Sequence, residues 1–158
     1  MAAKARLGDW EGDTIVGVRH QGALLTYVAH TSLFTTISKL SRPTAQATHR
    51  ATVQRLAPLR HHVHTITYDN GKEFAGHRAT TQRLRAQVFF ATPYSRVGTR
   101  SERAHEDLIR DLFPKGTDFT TIHPTAMAKV ERLLNRRPRK SLGVHTSNEV
   151  FHALANRG

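Results

Sequence analysis

The chain has 158 residues, with 24 Lys and Arg against 12 Asp and Glu, a formal net charge of +12 and a pI near 11.2. Such an excess of basic residues indicates an anionic partner, and nucleic acid is the first candidate. No run of 18 apolar residues and no apolar N-terminal stretch occurs, which argues against a membrane partner and predicts a cytoplasmic protein. The absence of cysteine excludes disulfides and thiolate metal sites.

Residue patterns predict five strands and five helices in chain order. The predicted strands cover residues 14–18, 23–29, 33–40, 63–68 and 87–90, and the predicted helices cover residues 44–56, 77–84, 104–112, 124–134 and 148–154. The first three strands follow each other through short turns and form an antiparallel meander, whereas the fourth and fifth are each reached through a helix. The sequence therefore predicts an α+β fold with one five-stranded mixed sheet flanked by helices.

Two short phrases place a carboxylate where a strand pattern meets a turn. Asp13 closes the first phrase, residues 8–13, and Asp69 lies in the second, residues 67–74. Carboxylate oxygens are ligands that Mg²⁺ prefers, and a basic surface around them attracts phosphate. The two phrases therefore indicate metal-assisted chemistry on a polyanion. The competing interpretations are an Asp-Asn-Gly turn at Asp69 and an ordinary strand-edge carboxylate at Asp13.

Six phrases along the chain occur in a recognisable order and spacing. They are Trp10-Glu-Gly-Asp13, Asp69-Asn-Gly-Lys-Glu-Phe-Ala75, Pro93-Tyr-Ser95, Phe113-Pro-Lys-Gly-Thr-Asp118, Asn135-Arg-Arg-Pro-Arg-Lys140 and Leu142-Gly143. Over about residues 8–151 the chain resembles the catalytic core of IS-thirty-type bacterial insertion-sequence transposases. These are DDE recombinases, a class that includes retroviral integrases.

The resemblance implies a ribonuclease H-like fold and a catalytic triad of two aspartates and one glutamate. This triad would bind divalent metal, two ions of Mg²⁺ or Mn²⁺. Asp13 and Asp69 match the two aspartates of the family. In the predicted sheet the first strand lies beside the fourth, so their carboxylates are expected to converge.

The third carboxylate is where the chain departs from the family pattern. Without a gap, the family's glutamate aligns with Arg103, while Glu102 stands one position earlier and Glu106 one turn later. The apolar stripe of Ala104, Leu108 and Leu112 places Glu102 on the flank of the expected buried face and Arg103 away from it. Glu102 is therefore the predicted third ligand. Glu106, or a site that lacks a third ligand, are the alternatives.

Basic residues in two regions are predicted to contact DNA. Arg96 and Arg100 surround the proposed cleft, and the densest basic segment contains Arg136, Arg137, Arg139 and Lys140. The alternative for this segment is a solvated linker that adds only to the general field.

Three further features have less specific interpretations. A zinc site at residues 61–64 is not predicted, since neighbouring histidines on a strand point to opposite faces and no cysteine completes a site. His105 fits a packing role, a role near phosphate or a catalytic one. Trp10 is predicted to pack in the core or at a strand edge.

The resemblance implies a transposase core that hydrolyses DNA at element ends and joins them to target DNA. A related metal-dependent nuclease and a catalytically impaired DNA-binding remnant are the alternatives. Residues 1–158 are expected to form one integrase-like domain, with a core over about 8–141 and a C-terminal extension over 142–158, and without the helix-turn-helix region of the family. The protein is expected in the bacterial cytoplasm, associated with the nucleoid, and as a homo-oligomer when two DNA ends are brought together.

Overall fold

Five strands form one mixed sheet in the computed structural model, which describes residues 7–68, 74–91, 100–114 and 116–156. The strands are β1 (Asp9–Val16), β2 (Ala23–Ala29), β3 (Thr35–Leu40), β4 (Thr65–Tyr68) and β5 (Gln87–Phe90). Their order across the sheet is β3-β2-β1-β4-β5. The β3–β2 and β2–β1 pairs are antiparallel, and the β1–β4 and β4–β5 pairs are parallel. The predicted mixed sheet, with the first strand beside the fourth, is confirmed.

Five α-helices cover the sheet. They are α1 (Ala45–Leu56), α2 (His77–Leu84), α3 (Arg100–Leu112), α4 (Pro124–Arg136) and α5 (Ser147–Ala155). A 3-10 helix, Ala57–His62, continues α1 towards β4. The Thr44 hydroxyl accepts a hydrogen bond from the Ala47 N–H at 3.1 Å and so caps the N-terminus of α1.

The central strand β1 is longer than the sequence pattern predicts. The pattern begins at residue 14, whereas β1 begins at Asp9 and pairs with β2 on one side and β4 on the other. Residues 9–12 contain Asp, Glu and Gly, which have low strand propensity. Hydrogen bonding to strands on both sides overrides that local preference.

Apolar side chains pack on both faces of the sheet. All seven residues of β2 are buried. Alternate residues Leu25 and Tyr27 join the core beneath α1, α2 and α5, whereas Leu24 and Val28 join the core beneath α3 and α4. Helices therefore cover both faces of the sheet, which leaves the strand ends as the places where polar side chains can gather.

The last helix is part of this core. Phe151 of α5 is 1% exposed and stacks on Phe34 with ring centroids 4.4 Å apart. It also makes an edge contact with Trp10, with centroids 6.0 Å apart. Residues beyond 142 thus pack directly against β1.

The outer edge of β3 is occupied by side chains. The Asn135 amide accepts from the Thr35 N–H and donates to the Thr35 carbonyl, both at 2.8 Å. Glu131 accepts from the Ile37 N–H at 2.7 Å, and Arg55 donates to the Ile37 carbonyl at 3.0 Å. The Arg55 and Glu131 side chains are themselves paired at 2.6 Å. Two helices thereby satisfy backbone groups that an edge strand would otherwise expose.

Among the described residues, no helix combines the length and the apolar character needed to cross a bilayer.

Candidate active site

Asp13 lies at the carboxyl end of the parallel pairing between β1 and β4. The last pair in that register is Gly12 with Tyr68, one residue before Asp13. Its Oδ1 accepts a hydrogen bond from the Thr14 N–H at 2.8 Å, and its Oδ2 accepts one from Arg110 Nη2 at 2.7 Å. The Asp13 side chain is 23% exposed. The carboxylate is therefore held in place and still accessible from solvent.

Glycine is required at the position before Asp13. A Cβ on Gly12 would lie 2.4 Å from Tyr68 Cε1 and 2.7 Å from Tyr27 Cε1. The two tyrosine hydroxyls are 2.8 Å apart, and the Tyr27 hydroxyl is also 2.5 Å from Thr52 Oγ1. Burial raises the pKa of Tyr68 to about 12 and also raises the pKa of Tyr27 above its ordinary value. This neutral, hydrogen-bonded pair packs against the backbone beside Asp13 and fixes its position.

Asp69 lies outside the described residues. Glu102 and Glu106 lie in α3, but their side chains are outside the part of the chain that the structure describes. Within that part, no group of three or more His, Asp or Glu side chains could hold a metal ion. Of the three predicted ligands, the structure therefore supplies side-chain geometry for Asp13.

The buried face of α3 differs from the one that the sequence predicts. Ala104 is exposed and Leu112 is 45% exposed, whereas His105 and Ile109 are each 2% exposed. His105 Nε2 is 2.6 Å from Thr35 Oγ1, so a polar ring takes a core position where the pattern expects an apolar residue. The predicted stripe is therefore wrong at Ala104 and Leu112, whereas Leu108 is partly buried and packs against the core.

The surroundings of His105 indicate packing rather than proton transfer. Burial, with a smaller contribution from the charge of Arg139, lowers the pKa of His105 to about 3. The imidazole is therefore neutral at physiological pH. Its contact with Thr35 joins α3 to β3 on the far side of the sheet from β4.

Arg110 is the contact of Asp13 that the sequence does not reveal. It is 51% exposed on α3 and reaches Asp13 across 97 positions of the chain. In the sequence it is one of many bases, with no spacing that sets it apart. The contact results from packing α3 across β2 towards β1, which only the tertiary structure specifies.

A cleft of about 530 Å³ adjoins this ion pair. It is lined by Ile15, Val16, Gly17, Val18, Arg110, Phe113, Pro114, Gly116, Thr117 and Phe119. Val16 is 48% exposed and Val18 is 38% exposed. The end of β1 thus combines a carboxylate, a cation and accessible apolar surface.

The predicted DNA-binding residues occupy different environments. Arg136 and Arg137 are exposed at the end of α4. Arg139 is half-buried, and its Nη2 donates to the Leu134 carbonyl at 3.0 Å. Burial, together with the charge of Arg137, lowers the pKa of Arg139. Arg139 therefore supports the end of α4.

Three predicted DNA-binding residues remain. Arg96 and the side chains of Arg100 and Lys140 lie outside the described residues.

Trp10 is fully buried, and its indole Nε1 donates to the His62 carbonyl at 2.8 Å. The predicted packing role of Trp10 is confirmed.

Comparison with known proteins finds relatives of this chain among transposases. No protein-family profile matches the chain. The chain is 39% identical over 153 residues to the transposase for insertion sequence element IS4351 of Bacteroides fragilis, covering 97% of the chain and 47% of that protein. It is 30% identical over 146 residues to transposase InsI for insertion sequence element IS30A of Escherichia coli, covering 92% of the chain and 38% of that protein. The chain therefore spans less than half the length of these relatives.

The fold has a match among solved structures. The catalytic core domain of BIV integrase superposes with a TM-score of 0.67 at 20% sequence identity, over 94% of this chain and 96% of that one. The fold implied by the sequence resemblance is thereby confirmed. Along the segment that they share, the chain is a homologue of insertion-sequence transposases, including those of the IS30 type, and its fold is that of an integrase catalytic core.

Proposed function

We propose that this chain is the catalytic core of a DDE-type transposase, which cleaves and joins DNA strands by metal-dependent phosphoryl transfer. The observation that carries the proposal is the ordered, accessible Asp13 carboxylate at the carboxyl end of the β1–β4 pair. The homologues are named transposases, and this position matches the first aspartate of the resembled family.

The sheet register supports Asp69 as the second ligand. Tyr68 is the last residue of β4 and pairs with Gly12, and the next residues of the two strands are Asp69 and Asp13. Neighbouring strands of a sheet lie about 4.8 Å apart, so residues that follow one register pair in sequence are well suited to supply carboxylates to one divalent cation.

The chemistry of Asp13 fits a divalent metal. Its Oδ2 accepts a hydrogen bond from the Arg110 guanidinium, so the carboxylate already faces a positive charge. Asp13, Asp69 and a carboxylate from α3 would hold Mg²⁺ or Mn²⁺, in a site for two ions. When bound, the metal would activate a water or a DNA 3′-hydroxyl and stabilise the leaving oxygen.

Two positions on α3 compete for the third carboxylate. Glu102 stands three residues before His105 and seven before Ile109, which places it on the buried face of the helix. Measured from Arg110, however, Glu102 is rotated by about 80° around the axis, and Glu106 by about 40°. Glu102 remains the proposed ligand because of its helix phase relative to His105 and Ile109, and Glu106 is the alternative that the Arg110–Asp13 contact favours.

Arg110 would change partners during the reaction. The Arg110 guanidinium is half exposed and borders the cleft, so it would be able to leave Asp13 if the carboxylate served as a metal ligand. Arg110 can then contact a phosphate of the bound strand through charge-assisted hydrogen bonds. The same residue thus neutralises Asp13 before metal binding and DNA afterwards.

The proposed partner is DNA, both element ends and target. Arg136 and Arg137 are exposed cations at the end of α4, and Arg96, Arg100, Arg139 and Lys140 remain candidates from the sequence. Phosphate contacts of this kind hold a duplex without reading its sequence. Bringing two DNA ends together requires a homo-oligomer in the working complex.

Strand cleavage and joining by the chain itself test this proposal. The purified chain is incubated with Mg²⁺ or Mn²⁺ and labelled duplexes, one intact and one with a pre-cut 3′ end, and nicked and joined products are separated on denaturing gels. Asp13→Asn is the matched inactive variant. Nicking and joining that both require Asp13 support the transposase core.

Other outcomes separate the alternatives. Nicking without joining points to a metal-dependent nuclease. Neither reaction with either metal, on either duplex, points to an impaired DNA-binding remnant.

A further inference from the structure

A second basic surface lies at the opposite end of the sheet from Asp13. It is a pocket of about 790 Å³ between the 3-10 helix Ala57–His62, the end of α2 and the starts of β4 and β5. Its lining residues, termed the basic pocket below, are Ala57, Arg60, His61, Val63, His64, Gln82, Arg83, Leu84 and Arg85.

The basic pocket is uniformly suited to anions. Among its described lining residues there are three arginines, two histidines and one glutamine, and no Asp or Glu. Arg60, Arg83 and Arg85 are exposed, while Val63 and Leu84 form a buried floor. Several exposed cations around an ordered concave floor present hydrogen-bond donors to more than one phosphate oxygen.

The sequence around the pocket reinforces its charge. Residues 53–68 and 74–91, which include every lining residue, contain five arginines and four histidines but no Asp or Glu. The two acidic residues between these stretches, Asp69 and Glu73, come after β4 in the sequence, whereas the pocket lies at the start of β4. A solvated helix surface ordinarily mixes both signs, so this segregation indicates an anionic partner.

Arg85 occupies a backbone position that ordinarily favours glycine. It ends α2 in the left-handed conformation, with φ of 56°, and its N–H donates to the Thr81 carbonyl at 2.7 Å. Glycine adopts this conformation without steric cost, whereas arginine does not. The chain therefore keeps a cation at the rim of the pocket despite a local backbone penalty.

We propose that the basic pocket binds the phosphate backbone of duplex DNA outside the candidate active site. The four residues of β4 separate the pocket from the Asp13 end of the sheet by about 13 Å. DNA held there would be a distal part of the same duplex or a second duplex. The choice of DNA as the anion rests on the proposed function.

The test measures equilibrium binding of a labelled short duplex in EDTA, where metal ligation plays no part. The triple variant Arg60→Ala, Arg83→Ala, Arg85→Ala is compared with the control Arg42→Ala, Arg50→Ala, Arg132→Ala, which removes the same charge from exposed positions elsewhere. We expect the pocket variant to bind at least tenfold more weakly at low salt. The slope of log K against log salt should also fall by about 0.9 for every phosphate that the pocket variant no longer neutralises.

Equal losses of DNA affinity in both triple variants would show that net charge causes the effect. That result would overturn the proposal that the basic pocket binds DNA. Tighter binding of an RNA duplex than of DNA at the same salt would overturn the choice of DNA.

A single substitution tests the pocket even if the triple variant does not fold. Arg85→Gly removes one cation and suits the left-handed backbone, so it should fold at least as stably as the parent and still bind DNA more weakly. Unchanged DNA affinity in Arg85→Gly and in the pocket triple variant would contradict the proposal. DNA binding is measured in EDTA, where no strand is cut, so failure of catalysis and failure of the pocket give different results.

Discussion

The Arg110 guanidinium lies 2.7 Å from Asp13 Oδ2 and ties α3 to the central strand of the sheet. The contact joins α3, which contains the candidate ligands Glu102 and Glu106, to β1, which contains the candidate ligand Asp13. It also places a protein cation where the proposed function requires a metal. Under the proposed function, a metal ion at Asp13 and the Arg110–Asp13 pair would therefore compete.

Arg110→Gln should strengthen metal binding. The pair is partly exposed, and such pairs contribute at most about 1 kcal/mol, so the gain in Mn²⁺ affinity should be no more than about fivefold. Isothermal titration of Mn²⁺ into the parent, Arg110→Gln and the control Arg132→Gln measures it. Weaker Mn²⁺ binding by Arg110→Gln would mean that the guanidinium orients Asp13 rather than competing for it.

Gly12→Ala should destabilise the fold next to the candidate site. The added methyl would meet two buried tyrosine rings at less than 3 Å, and overpacking of this kind costs about 1–3 kcal/mol. Urea unfolding followed by fluorescence gives the change in free energy. Gly76→Ala is the control, since its nearest contact would be 3.3 Å, and a loss as large as that of Gly12→Ala would contradict the packing argument.

Removing one carboxylate at a time should identify the third ligand. Asp13→Asn and Glu102→Gln should each reduce Mg²⁺-dependent nicking by on the order of 100-fold or more, because a missing ligand removes several kcal/mol of transition-state stabilisation. DNA affinity in EDTA should stay near that of the parent. Full nicking by Glu102→Gln, with loss in Glu106→Gln, would transfer the role to Glu106.

Exposed arginines at the end of α4 should contribute to salt-dependent DNA binding. Substituting Arg136 and Arg137 by alanine should reduce the slope of log K against log salt by about 0.9 for each phosphate that is no longer bound. Binding of two unrelated duplexes should weaken equally. A slope identical to that of the parent would exclude both residues as phosphate ligands.

The buried His105 should make the fold less stable as the solution becomes acidic. Its pKa is about 3 in the folded chain and about 6.5 when unfolded, so only the unfolded state takes up this proton between those values. Its contribution is complete above pH 6.5 and is lost as pH falls, by about 2 kcal/mol between pH 6.5 and 5. Unfolding free energies of the parent and His105→Gln across this range measure the difference. Parallel pH profiles would falsify this account of His105.

The local sequence pattern predicts the bounds of those strands and helices whose residues have matching intrinsic preferences. Strand β2, helix α2 and strand β5 have the bounds that the sequence predicts. The first five residues of β1 were missed because pairing with β2 and β4 outweighs their composition. His105 escaped because a hydrogen bond to Thr35 makes a polar ring suitable for the core.

In the candidate site, too, the sequence reveals some residues and not others. Asp13 follows Gly12, which close packing against two tyrosine rings requires. The motif around Asp13 is therefore visible in the sequence. Arg110 is one base among 24 Lys and Arg, and its partner is 97 residues away. Long-range ion pairs of exposed residues leave no periodic pattern that a sequence could display.

The side chains that cover the edge of β3 restrict how copies of this protein can assemble. A neighbouring molecule could extend the sheet at β3 only by displacing the Asn135 amide and the paired Arg55 and Glu131. Each displaced group would give up hydrogen bonds that are already satisfied within one chain. Under the proposed function, a complex that holds two DNA ends would therefore join its subunits through other surfaces and not through a sheet that continues across β3.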